Sequence, residues 1–445
     1  MTGEQILGLV MLFGMITVIF VGFPISFTLL FLGLVFGAIG LGAELTFNLA
    51  YLQTWGTMKD EVFPAVPLFI FMGFMTEQAG LMERLFAALR NVLAPVRGSL
   101  YLAVILTATI FAMATGIVGA AVTVLGIMAA PMMIKAGYDA RLSSGAIAAG
   151  GTLGILVPPS VMLVVMGPTM GVPVNLLYSA ALGPGLLLAS LYIVYTLGRS
   201  FINPKLGPPV PKEDRITDPV KLITEFVVSV LPLALLIGFT LGTILAGMAT
   251  PTEAAACGAS GATLLALLYG KLSFKVLKNA AVMTMMTAGV VIFLAVASNV
   301  FGAVFTKLGT AQVITQALAA IPLPDMGKLI VIMIAVFLLG WPFEWPAIVL
   351  VFMPIVLPVV ETLQLGMNKL DLLIWFGALI AVNLQTAFLS PPVAMSAYYL
   401  RNVVPQWSLG LIYRGMGDFM IIQVICLVIV LLFPDIVLWL PRSLR

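Results

Sequence analysis

The sequence contains no histidine and only two cysteines, Cys257 and Cys426, each inside an apolar stretch. Without histidine there is no His-based triad and no histidine metal site. The two isolated cysteines read as small packing residues, since a disulfide framework needs more of them at regular spacing. Charge is equally scarce: Asp, Glu, Lys and Arg make up 9% of the 445 residues, where a soluble domain carries roughly a quarter. The net charge of +3 is spread through loops, which leaves no basic face for nucleic acid. The ten-residue alternating segments of a membrane β-barrel are missing too. The first apolar stretch lacks a basic leader and a small-residue cleavage site, so it reads as a span rather than a removed signal. With no carboxylate cluster at helical spacing either, the chain has little to catalyse with; we expect no enzyme and no cofactor.

What is present is apolar: 62% of residues are hydrophobic and the mean hydropathy is +1.17. Apolar runs of about 18–25 residues recur along the length, each enough to cross a bilayer as a helix. Glycine (42) and proline (28) are abundant, as in membrane helices that break or pack closely. The expectation is an all-α, multi-pass protein of a bacterial inner (cytoplasmic) membrane with about 10 spanning helices.

Basic residues set the direction of these spans. The polar stretch from Arg199 to Lys221, with Lys205, Lys212 and Arg215, reads as a cytoplasmic loop. From it, 222–246 runs outward, 252–270 returns, Lys271, Lys275 and Lys278 fall inside, and 280–302 leaves again. The stretch 100–133 has Arg84, Arg90 and Arg97 before it and Lys135 and Arg141 after it. Two basic flanks place both its ends inside, so it reads as a re-entrant hairpin with its tip at Thr115-Gly116-Ile117. The next segment, 143–180, carries Val157-Pro158-Pro159-Ser160 at its centre, and a Pro-Pro pair breaks a helix.

The same parts recur near the C-terminus. A second candidate hairpin (328–361) has its tip at Gly340-Trp341-Pro342-Phe343-Glu344-Trp345-Pro346, and a second broken segment (372–400) carries Leu389-Ser390-Pro391-Pro392. The division expected is scaffold helices and an arm (1–60), a first repeat (61–200), a loop with central scaffold helices (201–279) and a second repeat (280–445). The first span of one repeat (62–82) runs inward and that of the other (280–302) outward. The repeats are therefore inverted, as in alternating-access transporters. The stretches 44–60, 84–97 and 305–322 read as amphipathic arms, and the last spans as 182–198 and 417–440. Arg442 and Arg445 come out external, against the positive-inside trend.

At these motifs the chain resembles the large membrane subunit of the tripartite ATP-independent periplasmic (TRAP) transporters over essentially its full length. The resemblance rests on Gly150 through Ser160, Gly247 through Ala255, Phe305 through Gly309, and Asn383 through Pro392. It implies a sodium-coupled importer of a small organic acid working by an elevator motion. It also implies two partners, a small membrane subunit of about four helices on a separate chain and a periplasmic substrate-binding protein. The first hairpin tip in the family usually reads Ser-Gly-Ser, and the second usually carries an aspartate where this chain has Glu344. The flanking tryptophans are similar to a branch associated with mannitol or chloroaromatic compounds. A stand-alone carboxylate symporter or ion antiporter of the wider ion-transporter superfamily is the alternative.

Sodium takes hard oxygen ligands, so the candidate ion and substrate residues are those of the tips and breaks. In the first repeat these are Thr115, Gly116, Thr152, Val157, Pro158, Pro159 and Ser160. In the second they are Phe343, Glu344, Asn383, Thr386, Ser390, Pro391 and Pro392. Trp341 and Trp345 are candidates for stacking on the substrate or for anchoring at the interface. Trp55, Trp375, Trp407 and Trp439 read as interface anchors, and Glu253 as part of a helix start capped by Thr252.

Overall fold

In the computed structural model, residues 1–116, 118–210, 215, 218–391 and 394–445 are described, and they contain helices and no strand. Ile117, Lys212 and Pro392 lie outside the described residues, as does the side chain of Thr115. Seven helices are long and apolar enough to span a membrane, or nine if each of two bent pairs is one span. That is fewer than the expected ten. The apolar helix α2 (Ile25–Leu41) is 17 residues long, or about 26 Å, a little under the hydrocarbon thickness.

Glycines and prolines punctuate the chain. After α1 (Gly3–Val21), α2 and α3 (Ala43–Lys59) comes α4 (Ala65–Gln78). Gly80, at φ +69, turns the chain by 60° into the arm α5 (Leu81–Leu93). The first expected hairpin is α6 (Ser99–Thr115) and α7 (Val118–Lys135), turned at Gly116 with φ +61. The first broken segment is α8 (Ala140–Leu156) and α9 (Val161–Met170), bent by 42° at Val157–Ser160. It ends at Met170 rather than at residue 180. Gly171, at φ +65, and Pro173 start a new helix, so α10 (Val174–Ile202) takes the rest.

The second half follows the same order. α11 (Pro219–Leu245) and α12 (Pro251–Leu268) precede α13 (Phe274–Lys307), which has 34 residues. It absorbs both the expected span 280–302 and the start of the expected arm, because nothing breaks it before Gly309 at φ +76. Then come the arm α14 (Thr310–Ala319), α15 (Asp325–Leu339), and a limb made of α16 (Trp345–Ala347), a π-helical turn (Ile348–Phe352) and α17 (Met353–Val360). The second broken segment is α18 (Lys369–Asn383), a 3-10 turn (Thr386–Phe388) and α19 (Met395–Val403). The last span is α20 (Leu409–Leu432), not 417–440. Phe433 and Pro434 end it, and a short α21 (Asp435–Ser443) follows.

The core is built on the halves that precede the breaks: every residue of α8 from Leu142 and of α18 from Asp371 is buried. Packing then swaps between the halves of the chain. α8 lies on α20 while α18 lies on α10; α9 lies on α17 while α19 lies on α7. Outside these, α2 packs on α13 and α12 on α4, α1 on α14 and α11 on α5, and α4 packs on α13.

Two local expectations are corrected. Trp375 and Trp407 are not interface anchors. Trp375 is fully buried and donates Nε1 to Val430 O at 3.0 Å, and Trp407 is buried as well. Thr252 does not cap α12. Thr250 accepts from Glu253 N at 3.2 Å in a reciprocal capping box, while Thr252 Oγ1 donates to Glu61 O at 2.6 Å. Arg442 and Arg445, expected on the external side, have a structural partner. Both bind the buried carboxylate of Asp371, at 3.0 and 2.7 Å, and so act as partners of a core acid.

Candidate functional site

Both tips and both breaks meet beside α4 and the long helix α13. A cavity of about 370 Å³ is lined by Gly116, Gly119, Ile155 and Val161 from the first half, and by Glu344, Trp345, Pro346, Phe388 and Tyr399 from the second. Ile70 of α4 and Met283, Met286 and Thr287 of α13 close the facing wall. Residues more than two hundred positions apart are thus neighbours.

The first tip fits this geometry because Gly116 has no side chain. A β-carbon there would stand 3.4 Å from Val161 N and 3.8 Å from Gly154 O, so the tip rests on the break itself. The break presents two opposed helix ends. Val161 begins α9, whose first N–H groups have no acceptor within the helix, and α8 ends in carbonyls at Gly154 and Ile155. Such ends offer fixed partial charges to an ion or substrate without any formal charge.

The hydroxyls named from sequence are buried but already engaged. Ser160 Oγ donates to Ile155 O at 2.5 Å, and its own carbonyl accepts from Tyr178 OH at 3.4 Å. Thr152 Oγ1 donates to Ala149 O at 2.9 Å and accepts from Gln423 Nε2 at 3.5 Å; Gln423 Nε2 also donates to Tyr192 OH at 2.8 Å. Val157, Pro158 and Pro159 are buried, with Val157 against Gly185. These residues shape the break from behind rather than line the cavity.

In the second half, Glu344 is the one charged side chain on the cavity wall among the described residues. It precedes α16 as the N-cap residue without a side-chain capping bond, and it is exposed. Trp345 lines the same wall, whereas Trp341 lies outside it with its ring edge toward Phe337 at 5.9 Å. Phe343 is buried between Phe352 and Phe20, with ring centroids at 5.4 and 6.1 Å, and anchors the tip. Thr386 donates to Asn383 O and Ser390 to Thr386 O, each at 2.7 Å, which stitches the 3-10 turn together; Pro391 is exposed. Asn383 Nδ2 donates to Met333 O at 2.8 Å, and its Oδ1 is buried without a partner.

Sequence reasoning missed several contributors. Gln385 Oε1 is a second buried, unpartnered amide oxygen, two residues from Asn383 and inside the motif already singled out. Gln423 and Tyr192 support Thr152; an amide in the run Met-Ile-Ile-Gln-Val-Ile-Cys is a signal that could have exposed the first. Tyr399, whose ring would stand 3.0 Å from a β-carbon at Gly119, had no local signal at all.

Comparison with known proteins identifies the family. The sequence pattern of the family described as "Tripartite ATP-independent periplasmic transporter, DctM component" matches residues 12–436. The chain is similar to the sialic acid TRAP transporter large permease protein SiaM of Vibrio cholerae, 29% identical over 97% of each chain. It is also similar to the C4-dicarboxylate TRAP transporter large permease protein DctM of Pseudomonas aeruginosa, 28% identical over 88% of this chain and 89% of that one. Among solved structures, the YdaH transporter of Alcanivorax borkumensis shares the fold, with a TM-score of 0.61 at 14% identity over 96% and 98% of the two chains.

Proposed function

The chain belongs to the DctM component family of the tripartite ATP-independent periplasmic transporters, and from that premise we propose that it is a sodium-coupled importer of a small organic acid. Membership makes it a multi-pass large permease subunit of a transporter. The observation that carries the finer reading is the cavity in which both tips and both breaks converge against α4 and α13.

Coupling to sodium is supported by the kind of ligand on offer. Opposed helix ends and unpartnered amide oxygens suit a hard monovalent cation, and no group of His, Cys, Asp and Glu that could hold a metal ion occurs among the described residues. Inversion of the two repeats is supported by the swapped packing, in which the pairs α8–α20, α9–α17, α2–α13 and α1–α14 have the counterparts α18–α10, α19–α7, α12–α4 and α11–α5. In this reading α4 and α13, with α1, α2, α11 and α12, form the fixed frame. The hairpins and broken helices move against it as an elevator. The family name supports a small membrane subunit and a periplasmic binding protein as partners.

The test is uptake into proteoliposomes holding this chain, its small subunit and its binding protein. An inward sodium gradient should drive accumulation, and leaving out sodium or either partner should abolish it. Uptake by this chain alone without sodium would overturn the proposal in favour of a stand-alone carrier.

A further inference from the structure

A second cavity, of about 360 Å³, lies further along the same seam. The central cavity takes Met283 to Val291 of α13 and Glu344 to Pro346 of the hairpin limb. The second takes Ser298 to Lys307 of α13 and Leu350 to Ile355 of that limb, with Gln53 of α3 at its side. The two are stacked two helical turns apart, roughly 10 Å, between one pair of elements. By the orientation derived from the basic residues, this second cavity is on the outer side.

Its chemistry differs from that of the central one. No carboxylate lines it among the described residues, and its one formal charge is Lys307, which enters none of the described ion pairs. Ser298 is 2% exposed, yet its Oγ has no hydrogen-bond partner among the described residues. Many buried hydroxyls among the described residues return their proton to a carbonyl one turn back, as Thr240 of α11 does to Leu236 at 2.9 Å; on α13 Ser298 and Thr284 do not, and of these two only Ser298 lines this cavity. The Ser298 proton is therefore free for a guest. Asn299, tied through Nδ2 to Thr57 Oγ1 at 2.8 Å, is held on the same wall. A lysine at a helix C-terminus also suits the helix dipole, but that role explains neither the cavity nor the unused hydroxyl.

We propose that this outer cavity binds an oxyanion, with Lys307 supplying the charge and Ser298 and Gln53 donating hydrogen bonds. The oxyanion is either the carboxylate of a soluble cargo waiting outside the central cavity or the phosphate of a lipid headgroup. Only the word cargo rests on the transport reading, and the test below does not use transport.

Ser298→Cys is placed in a background of Cys257→Ala and Cys426→Ala, and the protein is held in phosphatidylcholine nanodiscs. Modification rates are compared for a sulfonate-bearing and a trimethylammonium-bearing thiosulfonate reagent, each normalised to a free thiol. The anionic reagent should be favoured roughly tenfold, the scale of one partly screened charge contact, and Lys307→Glu should reverse the preference. Ala303→Cys, on the same wall and less buried, is a second reporter should Ser298→Cys fold poorly. Millimolar succinate or benzoate slowing the reaction would assign the site to a soluble carboxylate. Slowing only in nanodiscs containing phosphatidylglycerol would assign it to a headgroup. Equal normalised rates unmoved by Lys307→Glu, or no slowing by any of these anions, would overturn the proposal and leave the transport reading intact.

Discussion

At the residue scale, the informative atoms are those whose partners are missing or cannot be moved. Asn383 Oδ1 and Gln385 Oε1 are buried acceptors with no donor among the described residues. Such an orphan costs stability, so replacing Gln385 with methionine, of similar length, should leave the fold intact or slightly firmer. If the oxygen ligates sodium, the same change should raise the sodium concentration for half-maximal uptake roughly tenfold, about 1.4 kcal/mol. Unchanged sodium dependence would assign Gln385 a packing role. Asp371 is the opposite case, a buried acid with two arginines. Asp371→Ala should lower stability by about 1–3 kcal/mol and release α21, read as a lower melting temperature in detergent and faster proteolysis after Phe433. Glycine contacts can be tested in pairs. A β-carbon at Gly415 would stand 2.2 Å from Arg141 O, while at Gly417 it would meet nothing within 4 Å. Gly415→Ala should therefore prise α20 from α8 at a cost of about 1–3 kcal/mol, and Gly417→Ala should be silent in the same thermal assay.

At the scale of elements, the breaks matter more than the helices they separate. Pro158 and Pro159 remove two donors from one turn, and the helix restarts only at Val161. Pro158→Ala with Pro159→Ala should let α8 and α9 approach one continuous helix, withdrawing the helix ends from the cavity. Sodium-dependent uptake should fall to background while the protein still reaches the membrane. Retained sodium dependence would count against the broken-helix site. The second hairpin limb shows how far such signals reach. Pro346, Pro354 and Pro358 announce a limb with an interrupted ladder, and a π turn forms at Ile348–Phe352, next to where Pro354 withholds its donor from Leu350. The turn's place between two cavities, however, is a matter of what faces it. Helix ends were the least legible feature. Hydropathy does not change between Val174 and residue 182, so only the Gly171 turn and Pro173 mark where α10 begins.

At the scale of the molecule, the swapped packing means that neither half has a complete site. The first tip meets the first break, but the cavity also needs Glu344, Phe388 and Tyr399 from the other half and a wall from α13. Glu344→Gln should therefore impair uptake even though the Glu344 carboxylate makes no hydrogen bond among the described residues. A fall in maximal rate at unchanged apparent substrate affinity would mark a gating or coupling role, and a rise in KM a contact with the cargo.

Sequence by itself determined the solvent, the all-helical class, the breaks and the family, because each is written in local composition or spacing. An apolar run of sufficient length must be a helix in lipid, and a Pro-Pro pair must interrupt it wherever it falls. Tertiary structure alone decided which named residues reach the cavity. Gly116, Glu344 and Trp345 line it, Thr152, Ser160 and Thr386 brace it from behind, and Trp341 lies outside. It also decided that Trp375 is core and that Arg442 and Arg445 neutralise a buried acid. The reason is range. Hydropathy and backbone donors act within a turn or two, whereas side-chain burial depends on helices that arrive from two hundred residues away.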